Sequence, residues 1–266
     1  MPIPIDEYSD EGFALRSFPR ATVAAGIISG FTSIRKFGIN IDIDTGTPPA
    51  TIWRGSPALY PWQDSSFSAE VVSSSTADTS DGTGARTVRI QGLDADWNFQ
   101  TEDITLNGQT AVDSALTWRR INRAFVLTAG SGATNAGTIT VRLDGAGATQ
   151  ATIAAGLAQS QVCVYTVPAG HTVSIEALGS SIVRASNSAN IEIGLLTREP
   201  GGVFRLRDQI GLRSAATSRT SFDLVAPIIC PEMTDIDVRC LFASANTNRI
   251  SATLSMFQIQ NSLLPS

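Results

Sequence analysis

The residues that could do chemistry in this chain are few, and their spacing suits it poorly. There is one histidine, His171, placed directly after Pro168-Ala169-Gly170 at the start of an alternating apolar and polar run. A serine–histidine–aspartate triad needs that base beside a nucleophile, and no G-x-S-x-G elbow accompanies it. The expectation is an exposed histidine in a hairpin turn. One histidine also excludes a metal site built from two or more of them within a chain. Paired carboxylates are the next candidates, because glycoside hydrolysis uses two. Asp42 and Asp44 stand two apart and share one face of a strand, Asp94 and Asp96 fall in a turn, and Glu102 and Asp103 are adjacent. Asp42 and Asp44 offer hard oxygens of the kind calcium takes. Yet aspartate alternating with isoleucine is also what the wet face of a half-buried strand looks like. No catalytic residue, cofactor or metal ligand is assigned.

Three cysteines, Cys163, Cys230 and Cys240, contain no C-x-x-C pair, which argues against a zinc ribbon or a dithiol redox site. Cys230 and Cys240 flank a turn between two strands and could be bridged, although buried reduced thiols are the simpler expectation. Ser73 to Gly84 is rich in hydroxyls and glycine, but no G-K-[ST] follows and it joins two strands. A phosphate loop is therefore excluded, and Asp78 and Asp81 are expected to close Asx-turns on their own backbone.

The remaining candidates are contact residues. Trp53, Tyr60, Trp62, Trp97 and Trp118 cluster in the first half of the chain. Such rings stack on sugars, anchor interfaces or fill cores. Tyr60 and Trp62 lie in a loop, which favours packing across a subunit boundary or at the end of a sandwich. Phe13 and Phe18 sit in a leader that has apolar residues to cover. The arginines occur in small groups (Arg119, Arg120 and Arg123; Arg205, Arg207 and Arg213) among carboxylates, where bidentate pairing within or between subunits is expected. Phe13, Phe18, Tyr60, Trp62, Arg119 and Arg205 are the candidate interface.

Composition agrees with contact rather than reaction. Hydrophobic residues make up 42% and charged residues 16% of the 266, below the roughly 25% charged share usual for globular domains. Serine, threonine, asparagine and glycine fill the difference, giving a surface that is cheap to desolvate. The formal charge of −5 and the lack of a basic stripe argue against nucleic acid as a partner. The start lacks a basic n-region followed by an apolar core, and the apolar stretch from Ala21 to Ile34 is short and broken by glycine. Neither a signal peptide nor a membrane span is read there.

The elements that must position these residues read as strands. Residues 1–36, broken by Pro2, Pro4 and Pro19, are expected to form an extended arm that docks on a neighbour. From Phe37 onward, period-two segments recur every 8–15 residues between turn signals: 37–44, 50–53, 66–75, 86–91, 98–106 and 117–128, then 137–143, 148–153, 161–167, 171–178, 191–197, 203–225, 236–242 and 250–259. Asn107-Gly108 is a strong hairpin signal. The pattern predicts an all-β protein, an antiparallel β-sandwich of jelly-roll type in two packed blocks, 37–132 and 133–266, separated near Ala129-Gly130-Ser131-Gly132.

Several segments also carry a family resemblance. They are 37–53 (FGINIDIDTGTPPATIW), Val72-Ser73-Ser74-Ser75 with Asp78-Thr79, Gly82-Thr83-Gly84-Ala85-Arg86-Thr87-Val88, Gly92-Leu93-Asp94, Leu106-Asn107-Gly108, Ala129-Gly130-Ser131 and Asn135-Ala136-Gly137-Thr138-Ile139. To these are added Val167-Pro168-Ala169-Gly170, Gly201-Gly202-Val203-Phe204-Arg205 and Pro231-Glu232-Met233-Thr234-Asp235-Ile236. Taken together the chain resembles structural proteins of tailed bacteriophages. The resemblance implies a virion component assembled in the host cytoplasm, with no active-site pattern to transfer. On that basis the expected role is a capsid decoration (cement) protein, trimeric, contacting the major capsid protein or other virion proteins. A neck, collar or tail-fibre-attachment protein touching a host glycan is the alternative.

Overall fold

The structure is a computed structural model that describes residues 19–56, 58–183, 189–214 and 217–264. Among the described residues the protein is all-β, with one short α-helix, α1 (Pro19–Ala24), sixteen strands and a 3-10 turn (Asn261–Leu263). The strands begin with β1 (Phe31–Ile43), β2 (Ala50–Thr51), β3 (Phe67–Ser73), β4 (Ala85–Leu93), β5 (Phe99–Thr105), β6 (Val112–Trp118), β7 (Arg120–Ala129) and β8 (Ile139–Leu143). The second half holds β9 (Thr149–Ile153), β10 (Val164–Thr166), β11 (His171–Val183), β12 (Ala189–Arg198), β13 (Arg205–Ser214), β14 (Thr217–Cys230), β15 (Asp235–Ala243) and β16 (Asn248–Gln260).

Two sandwiches are built from these strands, one inserted in the other. The host sandwich packs a sheet ordered β1-β16-β11-β14 on one ordered β10-β15-β12-β13, to which β2 adds by pairing with β15. From β10 onward successive strands cross between the two sheets in the jelly-roll manner, save β12 and β13, which pair within one sheet. Its core comes from the inward positions of both, including Ile43, Ile52, Val173, Ile175, Leu178, Ile191, Ile193, Leu195, Val238, Ile250 and Leu254. The inserted sandwich, β3 to β9, packs a sheet ordered β6-β3-β8-β9 on β5-β4-β7. Val71, Val88, Ile90, Trp118, Ile121, Ile139, Val141 and Ile153 fill it. Strand β1 alternates with the opposite phase to its apolar pattern: Lys36, Gly38 and Asn40 are buried, while Phe37 and Ile39 are half-buried and Ile41 is exposed. Gly38 is a close-approach position, because a Cβ there would meet the Ile52 carbonyl oxygen at 2.1 Å and the Cys163 nitrogen at 2.5 Å.

The sandwich architecture follows the alternating pattern, but three expectations fail. The division at 132/133 does not follow the sheets, since β8 pairs with β3 and β9 with β8, and the loop 130–138 ties back to Thr83 and Gly84. Residues 1–36 are not one arm: 19–24 form α1, and 31–36 already pair with β16. Pro19 misled the reading there, because proline is tolerated in a first helical turn. Asn107-Gly108 closes no hairpin between its flanking strands. β5 pairs with β4 and β6 with β3, so the chain changes sheets at this turn. Gly108 has a φ of 59°, and its N–H donates to the Asp78 carbonyl at 2.8 Å. Among the described residues the inserted sandwich closes hairpins at other turns, β4–β5 across 94–98 and β8–β9 across 144–148.

Candidate functional site

The densest set of charged and aromatic side chains lies where the two sandwiches meet. Arg120 begins β7 of the inserted sandwich, and Asp235 begins β15 of the host. Arg120 donates to Asp235 through both Nε (2.8 Å) and Nη2 (2.9 Å), and Arg198 of β12 adds a third nitrogen at 2.6 Å. The Thr166 hydroxyl donates to the same carboxylate at 2.6 Å. Two residues on, the Asp237 Oδ2 atom accepts from Arg239 (2.8 Å), from the Trp62 indole (3.2 Å) and from Thr51 (3.2 Å). Its Oδ1 is buried without a partner, and burial pushes the Asp237 carboxyl above the usual carboxylate range despite Arg239 beside it.

Aromatic rings sheathe these ions. The Arg120 guanidinium lies 5.3 Å from the Trp62 ring and 5.0 Å from that of Trp97. Arg198 and Arg239 both face Phe204, at 4.6 and 4.2 Å. Trp53, Tyr60 and Trp62 pack edge to face, with centroids 5.1 and 4.9 Å apart. Guanidinium planes stacked on rings while paired with carboxylates are weakly hydrated, which makes arginine the cation that tolerates such burial. Further ties cross the same boundary. The Asn122 side chain in β7 exchanges two hydrogen bonds with the Thr166 backbone, and the Tyr60 hydroxyl donates to Gln150 at 3.0 Å. Lys36 in β1 donates to the Asn122 carbonyl. Burial lowers the Lys36 pKa to about 8 and raises that of Tyr60.

This assembly ties the two sandwiches together, and several of the expected contact residues take part in it. Tyr60 is 3% exposed, and the Trp62 ring is engaged by Tyr60, Phe204, Arg120 and Arg198. Both take part in an intrachain joint, Tyr60 buried and Trp62 half-buried in it. Arg119 stacks on Trp97 at 4.9 Å and donates to the Asp64 carbonyl, also within the chain. Arg205 is exposed on β13. Phe13 and Phe18 lie outside the described residues. Cys163, Cys230 and Cys240 are free and buried, each with its thiol pushed up to about 12 by burial. Cys230 and Cys240 sit in opposite sheets of the host sandwich, so they do not bridge a turn.

Other candidates resolve into structure. His171 is half-buried, with Nδ1 2.9 Å from the Ala169 carbonyl. Asp44 accepts from the Thr247 N–H at 2.7 Å, while Asp42 is exposed. Among the described residues one acidic trio, Glu70, Asp113 and Asp144, gathers within ligand distance of itself. Arg142 and the N–H groups of Gly145 and Ala146 already serve Glu70. Asp78 goes beyond local Asx-turns: fully buried, it accepts from the Ser73 hydroxyl (2.6 Å) and from the N–H groups of Ala85 (2.7 Å), Ala136 (2.8 Å) and Gly137 (2.8 Å). Sequence reasoning missed Lys36, Asp78, Asp235 and Asp237 as organising residues. The available signal was charge inside an apolar strand, as in Asp235-Ile236-Asp237-Val238.

No family model matches the chain, and no curated protein matches it. Similar solved structures include infectious bursal disease virus of the Gx strain, at 14% identity over 88% of this chain and 73% of that one, with a TM-score of 0.25. The VP2 subviral particle of the same virus gives 11% identity over 94% and 79%, with a TM-score of 0.23. The PBSX exported protein XepA gives 8% over 84% of each chain, with a TM-score of 0.19. At these scores the likenesses carry no argument.

Proposed function

We propose that this chain is a structural component of a virion, most specifically a capsid decoration protein of a tailed bacteriophage that works by burying surface and catalyses nothing. One observation carries the reading. Three of the segments in which the chain resembles phage structural proteins meet on the Asp78 carboxylate. Ser73, Ala85, Ala136 and Gly137, drawn from three of those segments, are the four donors to its carboxylate. The resemblance therefore falls on residues that set the architecture. The jelly-roll strand order of the host sandwich supports the same reading by analogy of fold, since that order serves viral shells and also lectins and cupins. A low-charge surface with free sheet edges suits assembly into a larger body.

The test is sedimentation of the purified chain with empty phage heads. A decoration protein pellets with assembled shells, ignores their soluble subunits and sediments alone as a trimer. Tens of copies per particle in place of hundreds would move it to the neck or tail. Turnover of a polysaccharide by a monomer that ignores shells would overturn the reading.

A further inference from the structure

The outer face of the sheet β1-β16-β11-β14 carries a trough. Its register sets two rows of residues straight across the four strands. Arg35, Ser255, Ala177 and Asp223 form one row, and Phe37, Thr253, Gly179 and Ser221 form the next. The two middle strands therefore contribute only small side chains here, while Arg35 and Asp223 stand on the strands at either side. Neighbouring strands lie about 4.8 Å apart, so the backbones at Arg35 and Asp223 are separated by about 14 Å. Gly179 keeps the floor low, because a Cβ there would meet the Thr253 Oγ1 at 2.7 Å and the Ser221 Cβ at 3.3 Å. A bulge in β11 between Ile175 and Ala177 inserts Glu176, which lines the same face with Arg20 of α1. Two cavities of about 360 and 370 Å³ share Arg20 and Ser255 along this face. Each falls in the range of about 300–1,000 Å³ usual for small-molecule sites.

The polar groups suit a sugar ring. Ser221, Thr253 and Ser255 bring hydroxyls to the floor, and Glu176 and Asp223 supply carboxylate acceptors. Among the described residues Asp223 is held by Arg20 alone, at 3.1 Å, in a pair exposed on both sides. Such a pair contributes little and is readily exchanged for a ligand. Arg35 is exposed and makes no ion pair among the described residues. A guanidinium in that state takes a carboxylate through two parallel hydrogen bonds. We propose that this trough binds a pyranose that carries a carboxylate, with the acid on Arg35 and the ring hydroxyls on Thr253, Ser255, Glu176 and Asp223. The low floor lets the ring lie flat across β16 and β11. This inference does not rest on the virion reading and stands or falls separately.

The test is a titration of the isotope-labelled full chain with sodium glucuronate, followed by amide chemical shifts. Saturable shifts are expected at Ala177, Gly179, Thr253 and Ser255. Glucose, which lacks the acid, and acetate, which lacks the ring, each bind at least about tenfold more weakly. Arg35→Met, at an exposed position that folding does not need, weakens glucuronate at least about tenfold and leaves glucose unchanged. Gly179→Ala raises the floor and weakens both sugars. No saturable shift with glucuronate overturns the proposal, as does an Arg35→Met variant that binds it like the wild type. Equal affinity for glucuronate and acetate also overturns it, because the trough would then take any anion, and equal affinity for glucuronate and glucose removes the acid from it.

Discussion

Among single residues, Asp78 and Lys36 are buried ions with opposite pH signatures. Burial alone would raise the Asp78 carboxyl, but the Ser73 hydroxyl and three backbone N–H groups outweigh it, and the net shift is downward. A carboxylate depressed in the folded state contributes stability above its unfolded pKa near 4 and loses it as pH falls through the folded value. Asp78→Ala should cost about 3 kcal/mol or more at pH 7, since four donors are orphaned at once, and the deficit should shrink in acid. Urea melts from pH 7 to 3 check both. Lys36 runs the other way. Its folded pKa of about 8 lies below the usual 10.5, so between those values the unfolded chain holds the extra proton. Lys36 therefore contributes a rise in stability from pH 8 to 10.5, opposed above about pH 9 by the three thiols that burial pushes up to about 12. The stability difference between wild type and Lys36→Met isolates it and should grow in favour of the wild type from pH 8 to 10.5. A difference that is constant across this window would remove Lys36 from the account.

The decisive unit among the elements is the joint between strands β7, β12 and β15. Removing one partner of a buried ion pair leaves a stranded charge, typically at a cost of about 3–5 kcal/mol. Arg120→Met strands Asp235 only in part, because Arg198 remains, so a loss near the lower end, about 3 kcal/mol, is expected. The two sandwiches have separate cores, and weakening the joint should also split one thermal transition into two. Three of the four tryptophans, Trp53, Trp62 and Trp97, lie at this boundary and Trp118 in the inserted core, so indole fluorescence should change most in the first transition while far-ultraviolet circular dichroism follows both evenly. Coincident transitions in the variant would show that something other than these ions couples the sandwiches.

For the whole molecule, the three thiols measure how closed the host sandwich is. Cys163, Cys230 and Cys240 are each almost fully covered. With their thiols pushed up to about 12, almost none is thiolate at pH 8. A thiol reagent should find no reactive cysteine in the native protein over hours at pH 8 and three after denaturation. Prompt labelling of one thiol would mean that the sandwich opens locally.

The alternation of apolar and polar residues between turn signals was enough to establish strands, sandwiches and a jelly-roll class, because side-chain period and burial on one face are local properties of a strand. It also marked Tyr60, Trp62 and the arginine groups as contact residues and anticipated bidentate arginine–carboxylate pairing. What each residue contacts was a different matter. Arg120 meets Asp235 across 115 positions of sequence, and β8 pairs with β3 across a loop that reads as a domain boundary. No local pattern encodes such pairings. They arise when one sandwich inserted in another buries both sides of the crossing, and the low dielectric there makes every charge find a partner. The tertiary structure alone therefore decided that Tyr60, Trp62 and Arg120 meet in an internal joint, and that Arg205, Arg207 and Arg213 of β13 stay exposed.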